Sequence, residues 1–120
     1  MDIEEVVERV IGAAIEVRRH FGAGFRETTY HRAMEIELRR RDIAFESEVP
    51  VVLKYHDEVI GEGRIDLLID RRLVVELKAA SAKPDMFRRQ VVSYLKAGGY
   101  ELGLILNFET ELLKHGITRV

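Results

Sequence analysis

One helical segment between two apolar strands constrains the fold of this chain most. The segment runs from about 85 to 97, begins after Pro84 and ends at Gly98-Gly99, residues that favour helix starts and helix ends respectively. A short apolar run, Leu73–Lys78, precedes it, and a second run over 101–108 follows it. A helix that joins two adjacent strands of one sheet is a crossover connection, so these two strands are expected to pair in parallel.

The remaining periodicity predicts two helices followed by strands. Apolar residues recur at helical spacing over 3–21 and 26–41. From residue 43 the period changes to two, which predicts a strand over 43–53 that is broken or bent near Pro50, and another over 59–69. The expected order is α-α-β-β-β-α-β, an α/β fold with a mixed sheet of about four strands flanked by helices. No linker or repeat divides residues 1–120, so one domain is expected.

Composition excludes several classes of protein. Hydrophobic residues make up 47% of the 120 residues, which is typical of a globular chain and argues against disorder. The net charge of −2 excludes a uniformly basic nucleic-acid coat protein, so any nucleic-acid contact must come from a local patch. Cysteine is absent, which excludes disulfides and thiolate zinc sites and favours a reducing cytoplasm. No apolar run is long enough to span a membrane, and the acidic first residues do not resemble a signal peptide.

The residues that indicate chemistry lie on two neighbouring strands. Alternation predicts that Arg64, Asp66 and Leu68 share one face, as do Val74, Glu76 and Lys78 on the next strand. A three-residue loop over 70–72 would pair residue 69 with residue 73. Counting back from that pair places Asp66 directly opposite Glu76, where Cβ atoms are about 4.5–5.5 Å apart.

Two opposed carboxylates in an apolar sheet repel each other and lose hydration. A hard divalent cation such as Mg²⁺ or Mn²⁺ removes both costs, because it takes carboxylate oxygens and keeps several waters. Lys78 lies two residues after Glu76 and could orient a water or stabilise charge on a phosphate. The alternative is that Asp66, Glu76 and Lys78 form a partly exposed cluster of ion pairs.

The order of motifs resembles the PD-(D/E)xK nuclease superfamily and its RecB-like branch. That branch has a helix glutamate, Gly-x-x-Asp, Asp/Glu-x-Lys and a helix with Gln-x-x-x-Tyr. This chain has Glu27, then Gly63-Arg64-Ile65-Asp66, Glu76-Leu77-Lys78 and Gln90-Val91-Val92-Ser93-Tyr94. A closer resemblance is to the GxxExxY protein family, whose motif stands here as Gly24-Phe25-Arg26-Glu27-Thr28-Thr29-Tyr30. One departure is Ile65, because no proline precedes Asp66.

The resemblance implies a role for each matching residue. Asp66 and Glu76 are the expected metal ligands, and Lys78 is the expected catalytic lysine. Glu27 would complete the metal shell directly or through water. Gln90 and Tyr94 would support the site or contact substrate.

Further residues carry open alternatives. Tyr30 is expected in the core, with a hydroxyl that could reach the site. His31, four residues after Glu27, could join it as a metal ligand, and the simpler alternative is an exposed Glu–His pair. A local phosphate-binding rim would comprise Arg64, Lys83, Arg88, Arg89 and Lys96.

These features together predict a Mg²⁺- or Mn²⁺-dependent phosphodiester hydrolase acting on DNA or RNA. The alternative is a catalytically silent module of the same fold that binds nucleic acid or protein, and the charge of −2 favours it slightly. A third alternative is hydrolysis of a smaller phosphate substrate. Specificity is expected from a protein partner or from dimerisation, because so small a unit has little surface for sequence readout.

Overall fold

Two helices precede the sheet and end close to their expected boundaries. The computed structural model describes residues 1–81 and 84–120. Helix α1 spans Ile3–Phe21, and the Asp2 side chain caps it by accepting a hydrogen bond from the backbone N–H of Glu5 at 2.9 Å. The helix ends at Gly22, whose φ of 71° favours glycine. Helix α2 spans Glu27–Arg40.

Five strands form one mixed sheet in the order β1-β2-β3-β4-β5. They are β1 (Phe45–Tyr55), β2 (Glu58–Ile69), β3 (Leu73–Lys78), β4 (Leu102–Asn107) and β5 (Ile117–Arg119). Helix α3, Pro84–Gly98, connects β3 to β4, and these two strands are parallel while all other neighbours are antiparallel. The crossover and the parallel pair predicted from the sequence are confirmed. The expected count of about four strands is one too low, because the three residues of β5 are too few to show a period.

The strand around Pro50 differs from the expectation. Pro50 lies within continuous β1, opposite Arg64, at the edge of the sheet. An edge strand tolerates proline because one side of it needs no N–H donors. The irregularity occurs instead between Leu53 and Lys54, where Ile60 is the extra residue of β2. A β-bulge therefore lies beside Gly61.

The sheet separates two hydrophobic cores. One core joins α1 and α2 to side chains of β2, β3 and β4 that include Leu67, Val75 and Leu77. The other joins Val91 of α3 to Leu68, Val74 and Ile105. Both faces of β3 are thus covered, which fits its continuous apolar sequence. None of the described helices is both long and apolar enough to cross a lipid bilayer.

Candidate active site

The two carboxylates predicted to meet do so where β2 and β3 separate. The ladder runs from Ile69–Leu73 to Leu67–Val75, which makes Asp66 and Glu76 the next residues in register. There the carboxylate of each residue accepts a hydrogen bond from a backbone N–H of the other strand. The N–H of Asp66 donates to Glu76 Oε1 at 3.3 Å, and the N–H of Leu77 donates to Asp66 Oδ2 at 2.8 Å. Side-chain oxygens therefore replace the regular backbone ladder at this point.

Alternation along β3 directs Glu76 and Lys78 toward α3. Val74 packs in the α3-side core, whereas Val75 and Leu77 pack in the opposite one. The Glu76 side chain is only 3% exposed, and the Lys78 ammonium lies 3.7 Å from its Oε2. The shared face predicted for Val74, Glu76 and Lys78 is confirmed.

Alternation along β2 fails at Asp66. Ile65 and Leu68 both pack in the α3-side core although they are three residues apart. The break lies opposite Glu48, whose φ of 54° is unusual for a residue with a side chain. The shared face predicted for Arg64, Asp66 and Leu68 is therefore wrong. Arg64 is exposed instead and lies 3.5 Å from the Glu48 carboxylate.

Burial dominates the electrostatics of the site. It raises the pKa of the Glu76 carboxyl to about 7, because desolvation disfavours the charged form. The nearby Asp66 carboxylate adds to this rise, and Glu27 contributes a smaller repulsion. The Lys78 ammonium and the N–H of Asp66 lower the pKa of Glu76 but do not offset the burial. Ionisation of Glu76 beside Asp66 is thus disfavoured.

Tyr30 holds the segment that precedes Glu27. Its ring is fully buried and stacks on Phe108, with centroids 4.4 Å apart. Its hydroxyl donates to the carbonyl of Gly22 at 2.6 Å and accepts from the N–H of Phe25 at 3.3 Å. The prediction that Tyr30 lies in the core is confirmed, and its hydroxyl fixes the turn before α2. Glu27 is the exposed first residue of that helix.

The two polar residues of α3 contact each other and β2. Gln90 Nε2 donates to the Tyr94 hydroxyl at 3.1 Å. The Tyr94 ring lies against Gly63, where an added Cβ would stand 2.5 Å from a ring carbon. Gly63 thus leaves room for Tyr94 three residues before Asp66, which gives the Gly-x-x-Asp spacing a packing reason.

His31 is bonded away from the carboxylate pair. Its Nε2 lies 2.7 Å from Ser47 Oγ and 3.7 Å from a carboxylate oxygen of Glu35. It is therefore neither a ligand beside Glu27 nor an exposed partner of it. Among residues 1–81 and 84–120, no three side chains of the His, Cys, Asp or Glu type are placed to hold a metal ion. Ligation by Glu27, directly or through water, stays a prediction.

Part of the expected basic rim is exposed on α3. Arg88, Arg89 and Lys96 lie at its surface, and Arg88 donates to the carbonyl of Arg119 at 3.4 Å. Lys83 lies outside the described residues. Arg88 thus reaches toward β5.

Two residues beside Lys78 were missed by the sequence. The Phe87 ring lies under the Lys78 ammonium, with Nζ 4.8 Å from the ring centroid. Asn107 stands next to Lys78 in the parallel register and binds the chain after β3, through the N–H and carbonyl of Ala80. A polar residue at the end of the apolar β4 run was the available signal for Asn107. No periodicity indicates Phe87, because its role comes from the placement of α3.

The donor set of the pair suits a hard divalent cation. One oxygen of each carboxylate accepts from a backbone N–H, and the second oxygen of Glu76, Oε2, faces the Lys78 ammonium at 3.7 Å. Carboxylate oxygens without sulfur or imidazole donors favour Mg²⁺ or Mn²⁺ completed by water. Asp66 and Glu76 therefore fit such an ion chemically.

Comparison with known proteins identifies the family of this chain. A family model described as the PD-(D/E)XK nuclease superfamily matches residues 4–120. No curated protein and no solved structure matches the chain significantly. The matched region contains all five strands, α3 and the Asp66, Glu76 and Lys78 positions. The chain belongs to the PD-(D/E)XK nuclease superfamily.

Proposed function

We propose that this chain is a Mg²⁺- or Mn²⁺-dependent nuclease that hydrolyses phosphodiester bonds of DNA or RNA. One observation carries the proposal: Asp66 and the 3%-exposed Glu76 bond each other's strands beside the Lys78 ammonium. Burying the Glu76 carboxylate beside that of the half-buried Asp66 opposes folding, and a bound divalent cation would relieve that cost. When bound, such an ion supplies a Lewis acid and lowers the pKa of a bound water.

Each residue of the site has a distinct part in this proposal. Asp66 and Glu76 would hold the cation through their carboxylates. Lys78, 3.7 Å from Glu76 and 15% exposed, is the cation that faces the phosphate and stabilises the charge that develops on it. Glu27 would add a carboxylate at the mouth of the site, which would bind the cation through a water molecule. Tyr30 supports Glu27 by bonding the turn before α2, as Gln90 and Tyr94 support Asp66 across Gly63.

We further infer membership of the RecB-like branch and of the GxxExxY family. The support is the set of motifs over 24–30, 63–66, 76–78 and 90–94. Arg64, with a side chain 65% exposed, is available to contact the phosphate backbone. A homodimer or a protein partner would supply the recognition surface that a domain spanning 1–120 lacks. Cytoplasmic location stays a prediction from composition.

The competing proposal is a silent module that binds nucleic acid or protein. The net charge of −2 favours it slightly, since nucleases often have a broad basic face. Hydrolysis of a smaller phosphate substrate is the other alternative, because the carboxylate pair does not by itself name what is attached to the phosphate.

A lysine-to-methionine change separates these proposals. Lys78→Met keeps the apolar stem and removes the charge, so metal binding should persist while cleavage falls by roughly a hundredfold. The matched control is Lys54→Met, at an exposed position of β1. The assay compares both variants with wild type on single- and double-stranded DNA and RNA with Mn²⁺. Equal cleavage by wild type and Lys78→Met would reveal a contaminating nuclease and would refute the catalytic role. Cleavage of small phosphate esters alone would favour the third proposal.

A further inference from the structure

A cavity of about 300 Å³ opens at the carboxyl ends of the parallel strands β3 and β4. Ligands of open α/β sheets bind at this end of the strands, outside their last residues. A larger cavity of about 700 Å³ lies between α1 and α2, and Asp66, Glu76 and Lys78 line neither of the two cavities. The smaller cavity is the one that shares a residue with the surroundings of Lys78.

Shared residues join this cavity to Lys78. Phe87 lines it and also lies under the Lys78 ammonium at 4.8 Å. Asn107 lines it as well and is the register neighbour of Lys78 on β4. A group bound in the cavity and a phosphate at Lys78 would thus be close enough to belong to one molecule.

The lining suits a neutral, planar group with polar edges. Phe87 and the buried Ile105 provide apolar surface, while the Thr118 hydroxyl and the His115 ring provide hydrogen-bonding groups. Within the described residues neither of these two side chains makes a hydrogen bond. Glu109 adds a carboxylate to the wall, and no lysine or arginine lines the cavity. A second phosphate is therefore disfavoured there.

Asn107 positions the wall of the cavity through hydrogen bonds to the backbone. Its Oδ1 accepts from the N–H groups of Ala80 and Glu109, and its Nδ2 donates to the carbonyl of Ala80. These bonds use Oδ1 twice and one of the two hydrogens of Nδ2, and they fix the segment after Lys78 against β4. Thr118 and His115 offer further hydrogen-bonding groups to a ligand.

We propose that this cavity binds the base of the nucleotide that flanks the scissile phosphate. The inference rests on the proposed nuclease function, because it requires the phosphate at Lys78. Aromatic side chains that stack bases, with polar groups on the base edges, are the usual means of binding unpaired nucleotides. A base inside a stacked duplex cannot enter a cavity, so the substrate is a single strand or a flipped nucleotide.

Binding without catalysis tests the cavity independently of the nuclease function. A nucleoside 5′-monophosphate, which has no diester bond to cleave, is titrated in the presence of Mg²⁺, with ribose 5-phosphate as the probe that lacks the base. The monophosphate should move the amide resonances of Gly116 and Thr118 and bind roughly tenfold more tightly than ribose 5-phosphate. Equal affinities, or resonances that move only around Lys78, would overturn the proposal.

Two variants and a control make the test specific. Thr118→Phe should fill the cavity and reduce monophosphate affinity to that of ribose 5-phosphate. His115→Trp, at an exposed position, should narrow the mouth with the same effect and serves if Thr118→Phe does not fold. Ser93→Phe adds a ring at an exposed position of α3 and should bind like wild type. Unchanged binding by a folded Thr118→Phe, or by His115→Trp, would refute the assignment.

Cleavage then separates failure of this inference from failure of the proposed function. A single-stranded oligonucleotide should be cut faster than the same sequence in a duplex, and one abasic position should suppress cleavage at the adjacent phosphate by roughly tenfold. Equal cleavage of abasic and natural strands would overturn the base site and leave the nuclease intact. Absence of metal-dependent cleavage on every substrate would refute the nuclease, and the monophosphate titration would still decide the cavity.

Discussion

Replacing Glu76 with glutamine should make the metal-free protein more stable at neutral and alkaline pH. Burial raises the pKa of this carboxyl from 4.5 to about 7 in the folded chain. Between these two values the unfolded chain releases the proton while the folded chain keeps it. Stability therefore falls as pH rises through this window and stays lower above it.

The size of the effect follows from the two pKa values. At about 1.4 kcal/mol per pKa unit, the difference corresponds to roughly 3 kcal/mol of lost stability above pH 7. Glutamine removes the charge and keeps an oxygen that can accept from the N–H of Asp66. The attraction to Lys78 is already contained in the pKa of Glu76, so we expect a gain of about 3 kcal/mol at pH 8, or roughly 12 °C in Tm. At pH 4 both proteins are neutral at this position and should be equally stable.

Urea unfolding in EDTA at pH 4, 6 and 8 measures this directly. The matched control is Glu62→Gln, which removes an exposed carboxylate from β2. Its free energy of unfolding should differ little from wild type at any of the three pH values. A Glu76→Gln protein that is less stable than wild type at pH 8, or whose advantage does not change with pH, would refute the account of a strained buried carboxylate.

Three other changes test the surrounding structure. Millimolar Mg²⁺ or Mn²⁺ should raise the Tm of the wild type, because a metal concentration of a hundred times Kd adds about 2.7 kcal/mol to the free energy of unfolding. Asp66→Asn should abolish most of that gain in thermal-shift assays. Tyr30→Phe loses the bond to Gly22 and should cost about 1–2 kcal/mol in urea unfolding, with weaker metal-dependent cleavage; unchanged stability would show the bond to be unimportant. Gly63→Ala brings a Cβ within 2.5 Å of the Tyr94 ring and should destabilise by about 1–3 kcal/mol, whereas Gly63→Ala combined with Tyr94→Leu should recover part of the loss.

Local signals explain which parts of the fold could be predicted. The start of α1 was readable because Asp2 caps it, and its end because Gly22 adopts a positive φ. The register of β2 and β3 followed from a loop whose length fixes the pairing of Ile69 with Leu73. The same register brings Asp66 and Glu76 together.

Long-range placement explains the rest. The positive φ of Glu48 reverses the alternation opposite Asp66, and no sequence pattern indicates that conformation in a strand. Arg64 was therefore assigned to the wrong face. Phe87 and Asn107 reach Lys78 only because α3 packs back beside β4. Their contribution depends on distant segments, which periodicity does not encode.

The charges around the site argue for chemistry through a cation rather than simple retention of phosphate. A module that only binds phosphate is served by exposed basic residues, and Arg88 and Arg89 already provide these on α3. A buried glutamate beside Asp66 repels the same phosphate and costs stability whenever it ionises. Two apolar residues in place of Asp66 and Glu76 would let the backbone ladder between β2 and β3 continue and would remove that cost. The carboxylate pair is consistent with phosphate binding only if a divalent cation stands between them, which is the condition for metal-dependent hydrolysis.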